Sequence, residues 1–178
     1  MAITSAPTST SATASHSTDT YLVNAAFLQE IKESNPPLWH ASHELRARCD
    51  LGNADREMPQ ATVKAFASGL DALRDLLALQ FSLEESYGYI RVPNVPPATA
   101  AGSAPISLQT DSRQAIDQHR ALYLHLVDLV EEAEELQYRG CDQNCLGELT
   151  EKVDDFLRCL TAHERLEDEL IRQSQPLG

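Results

Sequence analysis

Two residues in the stretch Phe156–Ile171, FLRCLTAHERLEDELI, stand where apolar side chains are expected. Leu146, Leu149, Val153, Phe156, Leu160 and Leu170 belong to one series with alternating steps of three and four, the stripe by which a helix faces a core. The two members that complete the series are His163 and Glu167. The spacing therefore predicts an imidazole and a carboxylate pointing inward, one helical turn apart. Such groups are costly to bury unpaired, and a metal ion is a partner that suits both.

The same substitution of polar for apolar recurs on two other stripes. One runs Val63, Phe66, Leu70, Leu73, Leu77, Gln80, Glu84, Tyr87, and the other Ala115, His119, Leu122, Leu126, Leu129, Ala133, Leu136. A further segment, LWHASHELRARCDL, carries His40 and His43 but no clean stripe, so either histidine is a candidate to face inward. A lone core histidine is more often hydrogen-bonded than metal-bound, and a glutamate near a helix end is more often solvated. Convergence of several such groups is what argues for a metal, and imidazole with carboxylate suits Fe, Mn or Zn. The chain contains no Glu-x-x-His, the pattern of ferritin-like di-metal bundles.

These residues need four helices to position them. Asn35-Pro36-Pro37 reads as a cap and first turn for a helix ending near Gly52-Asn53. A second helix is expected over about 59–87, a third over 111–138 and a fourth over 146–172. A short additional helix is expected over 19–34, with Asp19 or Thr20 as its cap. Residues 1–18 are rich in Ser, Thr and Ala and read as a disordered tail, and residues 92–106 read as a Pro/Ala/Gly-rich linker. The expected fold is all-α: an up-down-up-down antiparallel four-helix bundle over 19–178 behind the tail. In that topology the start of the first helix, the end of the second, the start of the third and the end of the fourth share one end. His40, Glu84, His119, His163 and Glu167 then fall in a single layer.

Bulk properties narrow the partners. The chain has 178 residues, a net charge of −13 and 42% hydrophobic residues. That balance disfavours nucleic acid and anionic membranes, both of which call for basic patches. No apolar run approaches a membrane span, and no secretory signal pattern opens the chain. Cys49, Cys141, Cys145 and Cys159 form no dense framework, so reduced thiols in a cytoplasmic protein are expected. Cys141-x-x-x-Cys145 does not have the spacing of a zinc or thioredoxin site. No Ser/His/Asp set or phosphate loop stands out, and turnover of an organic substrate is not expected.

The His-x-x-x-Glu of AHERLEDEL, with QFSLEES on the second helix, QHRALYLHL on the third and the LWH start of the first, resembles the hemerythrin-like (HHE cation-binding) family. The resemblance covers about residues 25–173. It implies a four-helix bundle holding a non-haem di-iron centre that binds dioxygen or another small diatomic ligand, or that senses iron or redox state. By resemblance His40, His119 and His163 are terminal ligands, and Glu84 and Glu167 bridge. Tyr123 occupies the place, one turn after His119, where hemerythrins carry another histidine. Gln80 departs from the family's histidine, which implies that one iron site is weakened, uses His43 or water instead, or is empty. The alternative is a metal-depleted bundle acting as an interaction or regulatory module.

Overall fold

The computed structural model describes residues 20–52, 59–92 and 106–174. These form β1 (Thr20–Val23), α1 (Ala25–Glu33), α2 (Pro36–Gly52), α3 (Pro59–Leu83), β2 (Tyr89–Val92), α4 (Ile106–Arg139) and α5 (Gln143–Ser174). A π-helical turn, Glu84–Gly88, continues α3 into β2. The class is all-α with one small ribbon. The tail expected over 1–18 and most of the linker expected over 92–106 lie outside the described residues. Among the described residues no helix is long and apolar enough to cross a membrane.

The three long stripes fold as their periodicity requires. Val63, Phe66, Leu70, Leu73, Leu77 and Gln80 are buried along α3, and Leu146, Leu149, Val153, Phe156, Leu160, His163, Glu167 and Leu170 along α5. On α4 the stripe from Ala115 to Ala133 is likewise buried. α2 packs on α3 and α5, α3 on α4, and α4 on α5, so the four helices close a ring. Between α4 and α5, Gly140 takes a left-handed φ of 92°, the usual way to end a helix with glycine. Asp142 then accepts the Cys145 N–H at 2.9 Å, an N-cap that starts α5 three residues before the expected Leu146.

Two expectations are corrected. Residues 19–34 are not one helix: Thr20–Val23 is a strand, and Asn24 caps the helix that follows by accepting the Phe27 N–H at 3.3 Å. The run Thr-Tyr-Leu-Val favours strand, and it finds its antiparallel partner in Tyr89–Val92, in the register Thr20↔Val92 to Val23↔Tyr89. Tyr87, expected on the inner stripe, is instead 53% exposed, and Gly88 and Tyr89 are buried. The wider π turn delays the inward-facing position by one residue.

Apolar packing is divided into two clusters. The larger fills the ring and includes Phe66, Leu77, Phe81, Leu122, Leu126, Phe156 and Leu160. The smaller comprises Leu28, Tyr89, Leu108, Ala115, Leu170 and Ile171, with Tyr21 and Val23 against it. On each long helix the polar stripe residues lie between the two: Glu84 between Phe81 and Tyr89, His119 between Ala115 and Leu122, His163 and Glu167 between Leu160 and Leu170. The N-terminal strand and α1 thus close the end of the ring over the polar layer.

Candidate metal centre

Each ligand-type side chain in this layer sits on a rigid element. The π turn that ends α3 supplies Glu84, α4 supplies His119, and α5 supplies His163 and Glu167 one turn apart. One donor atom from each of the four lies within 4.8 Å of the other three, and all four residues are at most 1% exposed. His119 Nε2 is 3.4 Å from Glu84 Oε2 and 3.6 Å from Glu167 Oε1, and His163 Nε2 is 3.7 Å from Glu167 Oε1. None of these contacts is a hydrogen bond. Both Glu84 oxygens, both histidine Nε2 atoms and Glu167 Oε2 are buried without a hydrogen-bond partner. Buried polar atoms in folded proteins are nearly always satisfied, and this group could be satisfied by a metal ion at its centre. Two ligands on opposite sides of an ion, about 2.1 Å from each, stand about 4.2 Å apart. The donors therefore need to draw in by only about half an ångström to hold one ion.

Surrounding contacts orient the donors. His119 Nδ1 lies 3.1 Å from Glu85 Oε1; a carboxylate can only accept, so Nδ1 carries the proton and Nε2 faces the cluster. His163 Nδ1 lies 3.1 Å from Gln118 Oε1, which imposes the same orientation. Tyr89 donates its hydroxyl to Glu167 Oε1 at 2.8 Å. Phe81 stacks on His119 and meets His163 edge-on.

Burial and mutual charge set the proton inventory. Burial, reinforced by Glu167, pushes Glu84 up to about 9. Burial lowers His119, but the Glu167 and Glu85 carboxylates outweigh it and raise the imidazole to about 9. Burial drives His163 down to about 4. Glu167 is raised by burial and lowered by His119, His163 and Lys32, with a net fall below the usual carboxylate range. At neutral pH the metal-free group therefore holds a proton on Glu84, a charged His119, a neutral His163 and an ionised Glu167.

The structure does not bring every expected residue here. His40 is exposed and lies 3.5 Å from Glu44 on its own helix, and His43 is also exposed. α2 turns Leu38, Leu45 and Cys49 inward, which places His40, two residues after Leu38, on the far side of the helix. Gln80 is fully buried in the adjoining layer, where Asn35 Nδ2 donates to its Oε1 at 3.1 Å. Tyr123 is half-buried and lines, with Phe81, Ser82, Glu85, His119 and Arg120, a surface pocket of about 300 Å³ that reaches the His119 ring. Cys141 precedes α5 and Cys145 lies in its first turn, the latter roughly 27 Å along the helix from His163, and both thiols are free.

Sequence reasoning missed Glu164 and Lys32. Glu164 is 7% exposed beside His163, and burial raises its carboxyl to about 7 against the pull of Lys32. Lys32 comes from α1, outside the ring, and its ammonium lies 2.9 Å from Glu164 Oε2. Adjacency of Glu164 to the stripe was a readable signal for the first; nothing in the sequence marked the second.

Protein-family models, curated proteins and solved structures yield no match to this chain. The site defines it as a helical protein with a buried His/Glu cluster that could hold a metal ion.

Proposed function

We propose that this chain is a non-haem iron protein of the hemerythrin-like type, an antiparallel up-down-up-down bundle that binds dioxygen or reports iron or redox state. The observation that carries the reading is the set of buried donors from Glu84, His119, His163 and Glu167 without hydrogen-bond partners. Two imidazoles and two carboxylates suit Fe, Mn or Zn, and four protein ligands leave iron, which accepts up to six, with open positions for a small ligand. The pocket at His119 and Tyr123 supports access from solvent. His40 does not enter the donor set.

Protein refolded with ferrous iron under anaerobic conditions should retain iron on desalting, and His163→Ala should lose it. Equal, negligible iron in both proteins would sink the reading and favour a metal-free interaction module, the alternative that Gln80 motivates. Exposure of the loaded protein to air, followed by absorption spectroscopy, then tests reaction with oxygen.

A further inference from the structure

We infer that the centre takes one metal ion and that the Lys32 ammonium stands where a second ion would have to sit. This rests on the metal-binding reading above. Glu167 presents its two oxygens to different neighbours. Oε1 faces His119, His163 and the Tyr89 hydroxyl, at 3.6, 3.7 and 2.8 Å. Oε2 faces Lys32 Nζ at 3.9 Å. A carboxylate that bridges two ions offers one oxygen to each; here the second oxygen is directed at an ammonium.

Lys32 is firmly placed. Its side chain is 12% exposed, and Nζ lies 2.9 Å from Glu164 Oε2, 2.6 Å from Asp168 Oδ1 and 3.1 Å from the Glu164 carbonyl oxygen. Two hydrogen bonds, to Asp168 Oδ1 and the Glu164 carbonyl, and the ion pair with Glu164 Oε2 hold the ammonium in place. The remaining donors on this side are already used or poorly suited. Gln80 Oε1 accepts from Asn35, and Gln80 Nε2 points at Glu164 Oε1 at 3.5 Å. A divalent ion against Glu164 and Glu167 Oε2 would meet a fixed positive charge at close range, whereas an ion held through Glu167 Oε1, the oxygen that faces His119 and His163, would stand farther from it. Lys32 thus supplies, with a single covalently tethered charge, the neutralisation of Glu164 and Glu167 that a second ion would otherwise provide.

The full chain, stripped of metal and titrated with Zn²⁺ and anaerobically with Fe²⁺, should bind one ion per chain by calorimetry and elemental analysis. The double variant Lys32→Met, Gln80→His should bind a second. Two tightly held ions in the wild type would overturn the inference and leave the metal-binding reading intact. None in the wild type would defeat that reading and the inference with it. A folded double variant that still stops at one ion would also overturn the assignment to Lys32. The wild-type count decides the stoichiometry even if the double variant fails to fold.

Discussion

Phe81 lies flat on the His119 imidazole, with ring centroids 4.2 Å apart and planes 11° from parallel. With Glu85 at Nδ1, this leaves the ring a single orientation, Nε2 toward Glu84 and Glu167. Phe81→Leu keeps the apolar volume and removes the stacked face. We expect about 1 kcal/mol lower stability in urea unfolding, the scale of an aromatic pair. Ion affinity should fall by roughly tenfold, because supporting contacts preset ligand geometry. Unchanged affinity in a titration would show that the stack only fills space.

Glu85 acts on the same ring from its exposed edge. Its side chain is 49% exposed, so Glu85→Ala should change stability by no more than about 0.5 kcal/mol. Loss of the carboxylate removes one of the influences that raise His119. Its pKa should move down in an NMR titration of the metal-free protein. Ion affinity should fall on the order of 10–100-fold, the usual effect of deleting a ligand's supporting partner.

The ring helices and most of the buried His/Glu cluster were legible because periodicity is a local signal. His119 on α4 and His163 with Glu167 on α5 interrupt stripes whose other members are all apolar, so a burial argument reaches them. The β1–β2 ribbon was not legible: its two four-residue strands pair across some seventy residues, and neither announces the other. His40 misled because α2 has no clean stripe, and the LWH segment offered a histidine at the right height on the wrong face. Lys32 was hidden for a related reason. It enters the polar layer from α1, and only tertiary packing places its ammonium beside Glu164 and Glu167.

The proton inventory makes the stability of the metal-free protein fall with pH while that of the loaded protein stays nearly level. Between about 6.5 and 9 the native state keeps protons on Glu84 and His119, both raised to about 9, while the unfolded chain has lost them. The native state then binds more protons than the unfolded one, so metal-free stability declines as pH rises through this window. Ion binding displaces the same protons, so affinity climbs with pH, by roughly a hundredfold per unit if both leave. Melting temperatures from pH 6.5 to 8.5, with and without Zn²⁺, should diverge. Calorimetry in buffers of different ionisation enthalpy should count between one and two protons released per ion. Parallel melting curves, or no released protons, would refute the assignment.

Gly88 ends the π turn against α1. A Cβ added there would run into the Leu28 side chain, meeting Cγ at 2.9 Å and Cδ2 closer still. Leu28 is fully buried in the smaller apolar cluster and has little room to yield. Gly88→Ala should therefore destabilise the protein by about 1–3 kcal/mol, the range for overpacking. Because α1 carries Lys32, protection of the Lys32 backbone amide from hydrogen exchange should fall with it. Gly147, where an added Cβ meets nothing within 4 Å, is the control: Gly147→Ala lies within α5 and should stabilise by about 0.5–1 kcal/mol.

Glu84 and Glu167 differ in protonation, and matched amide variants expose the difference. Glu84 carries its proton at neutral pH, because burial raises it to about 9. Glutamine is then a near-isosteric, equally neutral replacement. Glu84→Gln should leave metal-free stability at pH 7 within about 1 kcal/mol of wild type, yet lower ion affinity at least a hundredfold by removing the charged ligand. Glu167 is ionised and stands against Lys32, His119 and the Tyr89 hydroxyl. Glu167→Gln leaves Lys32 and His119 without that counter-charge, and breaking a buried ion pair costs about 3–5 kcal/mol. It should therefore destabilise the metal-free protein strongly while also abolishing tight ion binding. Equal losses of stability for the two variants would mean that Glu84 is charged in the native state. The ordering of protons within the layer would then have to be reversed.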